Sequence, residues 1–289
     1  MQPGDVRRIM RRTRRIEGWF SRDAAALIAL LDEAQLTAGV RGNIFEIGVH
    51  HGRSVAFLCA LARDEERLGV CDLFGEQTLN VSASGSGNRA VFEANIAAAA
   101  PGFNRLDIFA KPSAKLIADE IGRPHRLFHI DGGHLCEEAL TDLRLGAAVL
   151  HDQGAIIVDD PFRADWPGVT EAILEFLAER PEFRPMSVGF NKLVIVPAAA
   201  AGIYEPLICD SRMLWRYFDK HVFEMKQLPM AGRDMFIMLV PTWRQRPELD
   251  RNVARLLSRL KILGSGLSRS RALDFLGSRE RNLHANPGS

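Results

Sequence analysis

Three groups of residues in this chain have the types and spacing for chemistry. Glu46, Gly48 and Gly52 read E-x-G-x-x-x-G within FEIGVHHGRS at 45–54, where an apolar run opens into a helix that begins at Ser54. Glycines let the backbone approach a ligand without a Cβ clash, and a helix N-terminus supplies N–H donors. The dinucleotide fingerprint G-x-G-x-x-G is absent, so the turn suits a nucleoside without a pyrophosphate to cradle. Asp72 closes the next apolar run, in CDLFGEQ at 71–77, where an acid accepts hydrogen bonds from both ribose hydroxyls; a loop or helix cap is its other reading. Ser113 follows the third run, as a contact for an adenine edge or as an N-cap. The expected cofactor set is thus Glu46, Gly48, Gly52, Ser54, Asp72 and Ser113.

The second group is acidic. Asp131 ends one apolar run and Asp159 and Asp160 end the next, so all three are expected at neighbouring strand ends. Three carboxylates repel one another, and a divalent cation such as Mg²⁺, which prefers hard oxygen ligands, would stabilise them and lower an acceptor hydroxyl's pKa. Alternatively, Asp131 touches the cofactor or caps a helix while Asp159 and Asp160 make loop hydrogen bonds. Histidine forms the third group. His134, three residues after Asp131, has the titration range of a general base, with a packing or capping role as its alternative. His50 and His51 flank the glycine turn, within reach of an acceptor or simply exposed.

Alternating elements must position these groups. Apolar runs at 43–49, 67–73, 105–110, 126–131 and 154–160 predict strands; helical spacing predicts helices at 23–36, from Ser54, and near 89–99, 135–149 and 167–179. Strands this apolar belong in a parallel sheet covered on both faces, with ligands in the crevice at the strands' carboxyl ends. FRPMSVGFNKLVIVP at 183–197 breaks the alternation as a hairpin around Gly189, Phe190 and Asn191. Further on come a helix near 205–222, a strand at 234–240 and a helix near 248–262. The expected fold is α/β: a doubly wound, mostly parallel seven-stranded sheet with a terminal antiparallel hairpin and helical N- and C-terminal additions. Its divisions are a helical segment 1–39, a cofactor-binding core 40–197, an α/β addition 198–262 and a loosely ordered basic tail 263–289.

The stretch 40–197 resembles class I S-adenosylmethionine-dependent methyltransferases, especially the bacterial macrocin and sugar O-methyltransferase-like group. FEIGVHHGRS, CDLFGEQ, HIDGGH at 129–134, VDDPF at 158–162, WPGV at 166–169 and GFNK at 189–192 carry the resemblance. It implies an S-adenosyl-L-methionine donor at the first two motifs and O-methylation of a small hydroxylated acceptor, for some relatives a sugar. Catechol O-methyltransferase is similar in having acids after the fourth and fifth strands, at the positions of Asp131, Asp159 and Asp160, and a lysine where His134 stands. Trp166, Asn191 and Lys192 also match the resembled group, as substrate contacts or loop packing, and Lys192 could neutralise nearby acids.

Composition bounds the alternatives. The chain has 289 residues, 47% hydrophobic and 25% charged, the balance of a folded globular protein. It has neither a run long enough to span a bilayer nor the apolar stretch of a signal peptide, so a cytoplasmic protein is expected. The cysteines Cys59, Cys71, Cys136 and Cys209 form no metal-binding spacing and read as reduced core residues. Net charge is +1, but residues 1–22 and 243–289 are basic around a middle near roughly −10. The arginines at the ends read first as a solvated face, so no nucleic-acid partner is expected. The competing functions are a nicotinamide-dependent oxidoreductase and a noncatalytic nucleic-acid or membrane binder using the basic termini. A homo-oligomer is compatible with either enzyme.

Overall fold

The computed structural model describes residues 1–239 apart from 83, 123 and 219–223. The expected helix at 248–262 and tail at 263–289 lie outside the described residues. Apolar runs form β1 (Asn43–Ile47), β2 (Leu68–Asp72), β3 (Leu106–Ala110), β4 (His125–Ile130) and β5 (Leu150–Asp159), which pair in parallel in the order β3-β2-β1-β4-β5. Helices α3 (Arg53–Leu61), α4 (Arg89–Ala99), the short α5 (Ala118–Ile121), α6 (Cys136–Val149) and α7 (Pro167–Glu179) alternate with them. The chain order reverses between β1 and β4, the switch point where a crevice opens at the carboxyl ends of the strands.

The hairpin forms as expected, from β6 (Phe183–Gly189) and β7 (Lys192–Pro197), with β7 antiparallel to β5. It is not terminal, and among the described residues the sheet has nine strands rather than seven. β8 (Glu224–Met230) and β9 (Arg233–Leu239) form a second antiparallel hairpin, and β9 adds in parallel to β6. Gly189 permits that addition: a Cβ there would lie 2.8 Å from Met238 Cβ. The helix expected at 205–222 is two, α8 (Ala201–Cys209) and α9 (Ser211–Tyr217), because the Asp210 side chain accepts from Arg212 N (2.8 Å) and starts a new helix.

The N-terminal segment shares the main core. α1 (Pro3–Arg12) buries Val6 and Met10 and leaves Arg8, Arg11 and Arg12 outside; Ser21 caps α2 (Arg22–Thr37), whose residues 24–31 are all buried. Arg126 at the start of β4 is buried, with Glu66 (2.9 Å), Asp32 (3.0 Å) and Gln35 (2.9 Å) as partners, tying α2 to the sheet. Among the described residues no helix is long and apolar enough to cross a membrane.

Candidate active site

A cavity of about 390 Å³ opens at the carboxyl ends of β1–β5. Its floor is made by Gly48, which has φ +81°; a Cβ there would stand 1.8 Å from the carbonyl oxygen of Asp131, so the β1 and β4 ends close on each other only through glycine. Asp72 holds the loop that follows. Its Oδ2 accepts from Val49 N (2.7 Å) and His50 N (2.8 Å), and its Oδ1 from Phe74 N (2.6 Å). Each carboxylate oxygen accepts two bonds, so Oδ1 keeps capacity for one more.

Of the residues expected to bind cofactor, Gly48, Asp72 and Ser113 line this cavity, whereas Glu46, Gly52 and Ser54 do not. Glu46 is fully buried, 2.8 Å from His129 Nδ1. Gly52 has φ +86°, and its Cβ would meet Phe92 at 2.9 Å and Ile96 at 3.0 Å, so this glycine serves the packing of α3 on α4. Ser54 is buried in the first turn of α3.

At the other end of the cavity Asp131, Asp159 and Asp160 all line the wall, together with His134, Trp166, Asn191 and Arg163. The three acids are not a bare cluster of like charges. Lys192, 3% exposed, makes an ion pair with Asp159, and Asn191 Nδ2 donates to Asp159 Oδ1 (2.8 Å) and Asp160 Oδ1 (2.6 Å). Burial and the adjacent Asp159 charge push Asp131 well above the usual carboxylate range. Burial also raises Asp160, but hydrogen bonds from His134 and Asn191 and the Arg163 charge outweigh it and hold this carboxyl down at about 2. Among the described residues, ligand atoms within 4.8 Å of one another occur in two groups, His129–Asp131–Asp159 and Asp131–His134–Asp160, which share Asp131 but divide Asp159 from Asp160.

His134 Nε2 lies 3.0 Å from Asp160 Oδ2, and its ring rests against Trp166 with centroids 4.3 Å apart. An ionised Asp160 accepts from Nε2–H, leaving Nδ1 as the basic nitrogen; Nδ1 is buried without a hydrogen-bond partner. His50 lines the cavity and His51 does not; His51 Nδ1 lies 3.2 Å from Glu17.

Two cavity residues escaped the sequence reading. Trp19 reaches the wall from the segment before α2, and nothing in its spacing marks it among the arginines. Arg163 reaches Asp160 (3.2 Å) from the loop after β5, where VDDPFR was read only for its acids.

Residues 45–161 match a family described as "Methyltransferase domain". That stretch is similar to a methyltransferase domain. The match spans β1 to just beyond β5, the strands whose ends build the cavity. No curated protein matches the chain by sequence. Among solved structures, the O-methyltransferase NovP is similar over 59% of this chain and 78% of its own, at 15% identity and a TM-score of 0.51, a likeness of fold. CalS11, a TDP-rhamnose 3'-O-methyltransferase of calicheamicin biosynthesis, gives 16% identity and a TM-score of 0.47 over 68% of this chain and 93% of its own. TomG, an O-methyltransferase from Streptomyces achromogenes, gives 15% and 0.45 over 67% and 87%.

Proposed function

We propose that this methyltransferase domain transfers the methyl group of S-adenosylmethionine to a hydroxyl oxygen of a small acceptor. One observation carries the reading: a single cavity joins a glycine-floored loop and a ribose-height acid, Gly48 and Asp72, to an imidazole–carboxylate pair, His134 and Asp160. The adenosine moiety lies over Gly48 with its ribose at Asp72 and its adenine toward Ser113. Glu46, Gly52 and Ser54 act behind this surface, shaping the loop and α3.

The acceptor oxygen attacks the methyl carbon as the carbon–sulfur bond breaks; the hydroxyl proton passes to the His134–Asp160 pair, and S-adenosylhomocysteine remains. Asp160 keeps the imidazole in the required tautomer. The sulfonium is already activated, so alignment of oxygen, carbon and sulfur and exclusion of water are what the protein supplies.

A divalent cation fits this wall in part. The oxygens of Asp131 and Asp160 suit Mg²⁺, while Asp159, expected as a third ligand, is already neutralised by Lys192. When bound, the ion would lower the pKa of the acceptor hydroxyl. Single-turnover transfer from labelled donor, with and without chelator, tests the role of both base and ion.

A further inference from the structure

We propose that Trp19 is the platform of the acceptor subsite and that the acceptor is an uncharged, planar aromatic alcohol, an inference that rests on the methyl-transfer reading above. Trp19 is 80% exposed, yet its backbone is pinned: Ile16 and Phe20 on either side are buried, and Arg53 donates to the Gly18 carbonyl (2.7 Å). An indole held at a cavity wall with its face in water forgoes the burial that normally stabilises tryptophan, and a flat apolar partner restores it. His50 extends the platform, its ring tilted against Trp19 with centroids 5.4 Å apart, and Leu79, 46% exposed, adds apolar surface to the same wall.

The surrounding polar groups narrow the class of acceptor. A polyhydroxylated ring needs several free donors and acceptors, but the two amides on this wall are engaged locally: Gln77 donates to Phe74 O (2.8 Å), and Asn80 donates to Gln77 Oε1 (2.9 Å), Ser84 O (3.2 Å) and Gly85 O (3.1 Å). An anionic acceptor needs a free cation. Among the described residues lining the cavity the lysines and arginines are Lys111 and Arg163, and both are ion-paired, Lys111 with Glu120 (2.6 Å) and Arg163 with Asp160 (3.2 Å) and Asp165. Acids outnumber these bases on the wall, so an added negative charge meets repulsion without a partner.

The test is calorimetry on the full chain. S-adenosylhomocysteine is titrated first, then three acceptor probes into the saturated protein: 2-naphthol, 6-hydroxy-2-naphthoate and methyl α-rhamnoside. The expected result is measurable binding of 2-naphthol, at least about tenfold weaker binding of the carboxylate, and the weakest binding for the glycoside. Trp19→Ala should lower naphthol affinity about tenfold with unchanged S-adenosylhomocysteine affinity, and Trp19→Phe should keep most of it. An indole this exposed can be truncated without loss of the fold, which a melting curve checks. Unchanged naphthol affinity in Trp19→Ala, no naphthol binding, or equal or tighter binding of either other probe overturns the proposal while leaving methyl transfer intact. Failure of S-adenosylhomocysteine to bind the wild type overturns the underlying reading, and the proposal with it.

Discussion

Gly48→Ala places a methyl group where the structure has no room. The new Cβ would lie 1.8 Å from the Asp131 carbonyl oxygen and 2.4 Å from its carbon, and a tolerable contact of 3.0 Å requires the β1 and β4 ends to separate by about 1.2 Å. The left-handed conformation at φ +81° adds about 1–2 kcal/mol of strain for alanine. In a domain this size each kcal/mol lowers Tm by roughly 2–4 °C, so a fall of about 5 °C or more is expected. The displacement moves Gly48 and Asp131, both on the cavity wall, and removal of one or two charge-assisted hydrogen bonds to the ligand costs about 1.5–3 kcal/mol. S-adenosylhomocysteine affinity, read by calorimetry on protein shown to be folded by its melting curve, should fall by roughly 10- to 100-fold. Gly52→Ala is the control: its Cβ meets only the side chains of Phe92 and Ile96, so Tm should drop while affinity changes far less. A folded Gly48→Ala protein that binds S-adenosylhomocysteine as tightly as wild type would refute the placement of the cofactor over this loop.

Replacing His134 with alanine should slow single-turnover transfer by roughly 100-fold or more, without a matching loss of donor affinity; an unchanged rate and pH profile would assign the ring to packing against Trp166. Lys192→Met leaves Asp159 buried without its cation and should destabilise the fold by about 3–5 kcal/mol in urea unfolding, where a change below about 1 kcal/mol would contradict the ion pair. Asp142 in α6 is fully buried with no charged partner, and burial, opposed only in part by a hydrogen bond from Ser113, raises it to about 7. Because the folded value lies above the unfolded one of about 3.9, its favourable contribution is complete below that value and disappears as pH rises through about 7. Asp142→Asn should therefore raise Tm at pH 8.5 relative to wild type and far less at pH 5, and an equal effect at both pH values would contradict the shift. Chelation with EDTA should slow transfer and Mg²⁺ restore it if Asp131 and Asp160 hold an ion; undiminished turnover would leave proton transfer to His134 alone.

The parallel half of the sheet and the first hairpin were legible because each strand is a short apolar run between glycines or polar loops, and the strand-end acids followed from that register. Of the outer hairpin, β9 was legible as the apolar run expected at 234–240, and β8 was not. EMKQLPM in β8 is polar and carries no strand signal, and Asp210, which splits the helix expected at 205–222, is only one of many acids until its side chain is seen to cap α9. At the site, chain order set Gly48, Asp72, Asp131 and His134 on one cavity, but it could not separate glycines that face a ligand from those that face a helix. Gly48 and Gly52 share the same motif and the same left-handed backbone, and only the neighbouring atoms, the Asp131 carbonyl against the Phe92 ring, distinguish them. Lys192 was expected to neutralise nearby acids, but which acid was not legible. It reaches Asp159 because β7 runs antiparallel to β5 with these two residues in register, a contact that offsets part of the repulsion on which a three-acid metal site was argued.

The most direct test of the whole account is calorimetry of the wild-type protein with S-adenosylhomocysteine and, separately, with NAD. Binding of one S-adenosylhomocysteine per chain, weakened by Asp72→Ala and accompanied by no binding of NAD, is the predicted result. Tighter binding of NAD, or S-adenosylhomocysteine binding unaffected by Asp72→Ala, would contradict it.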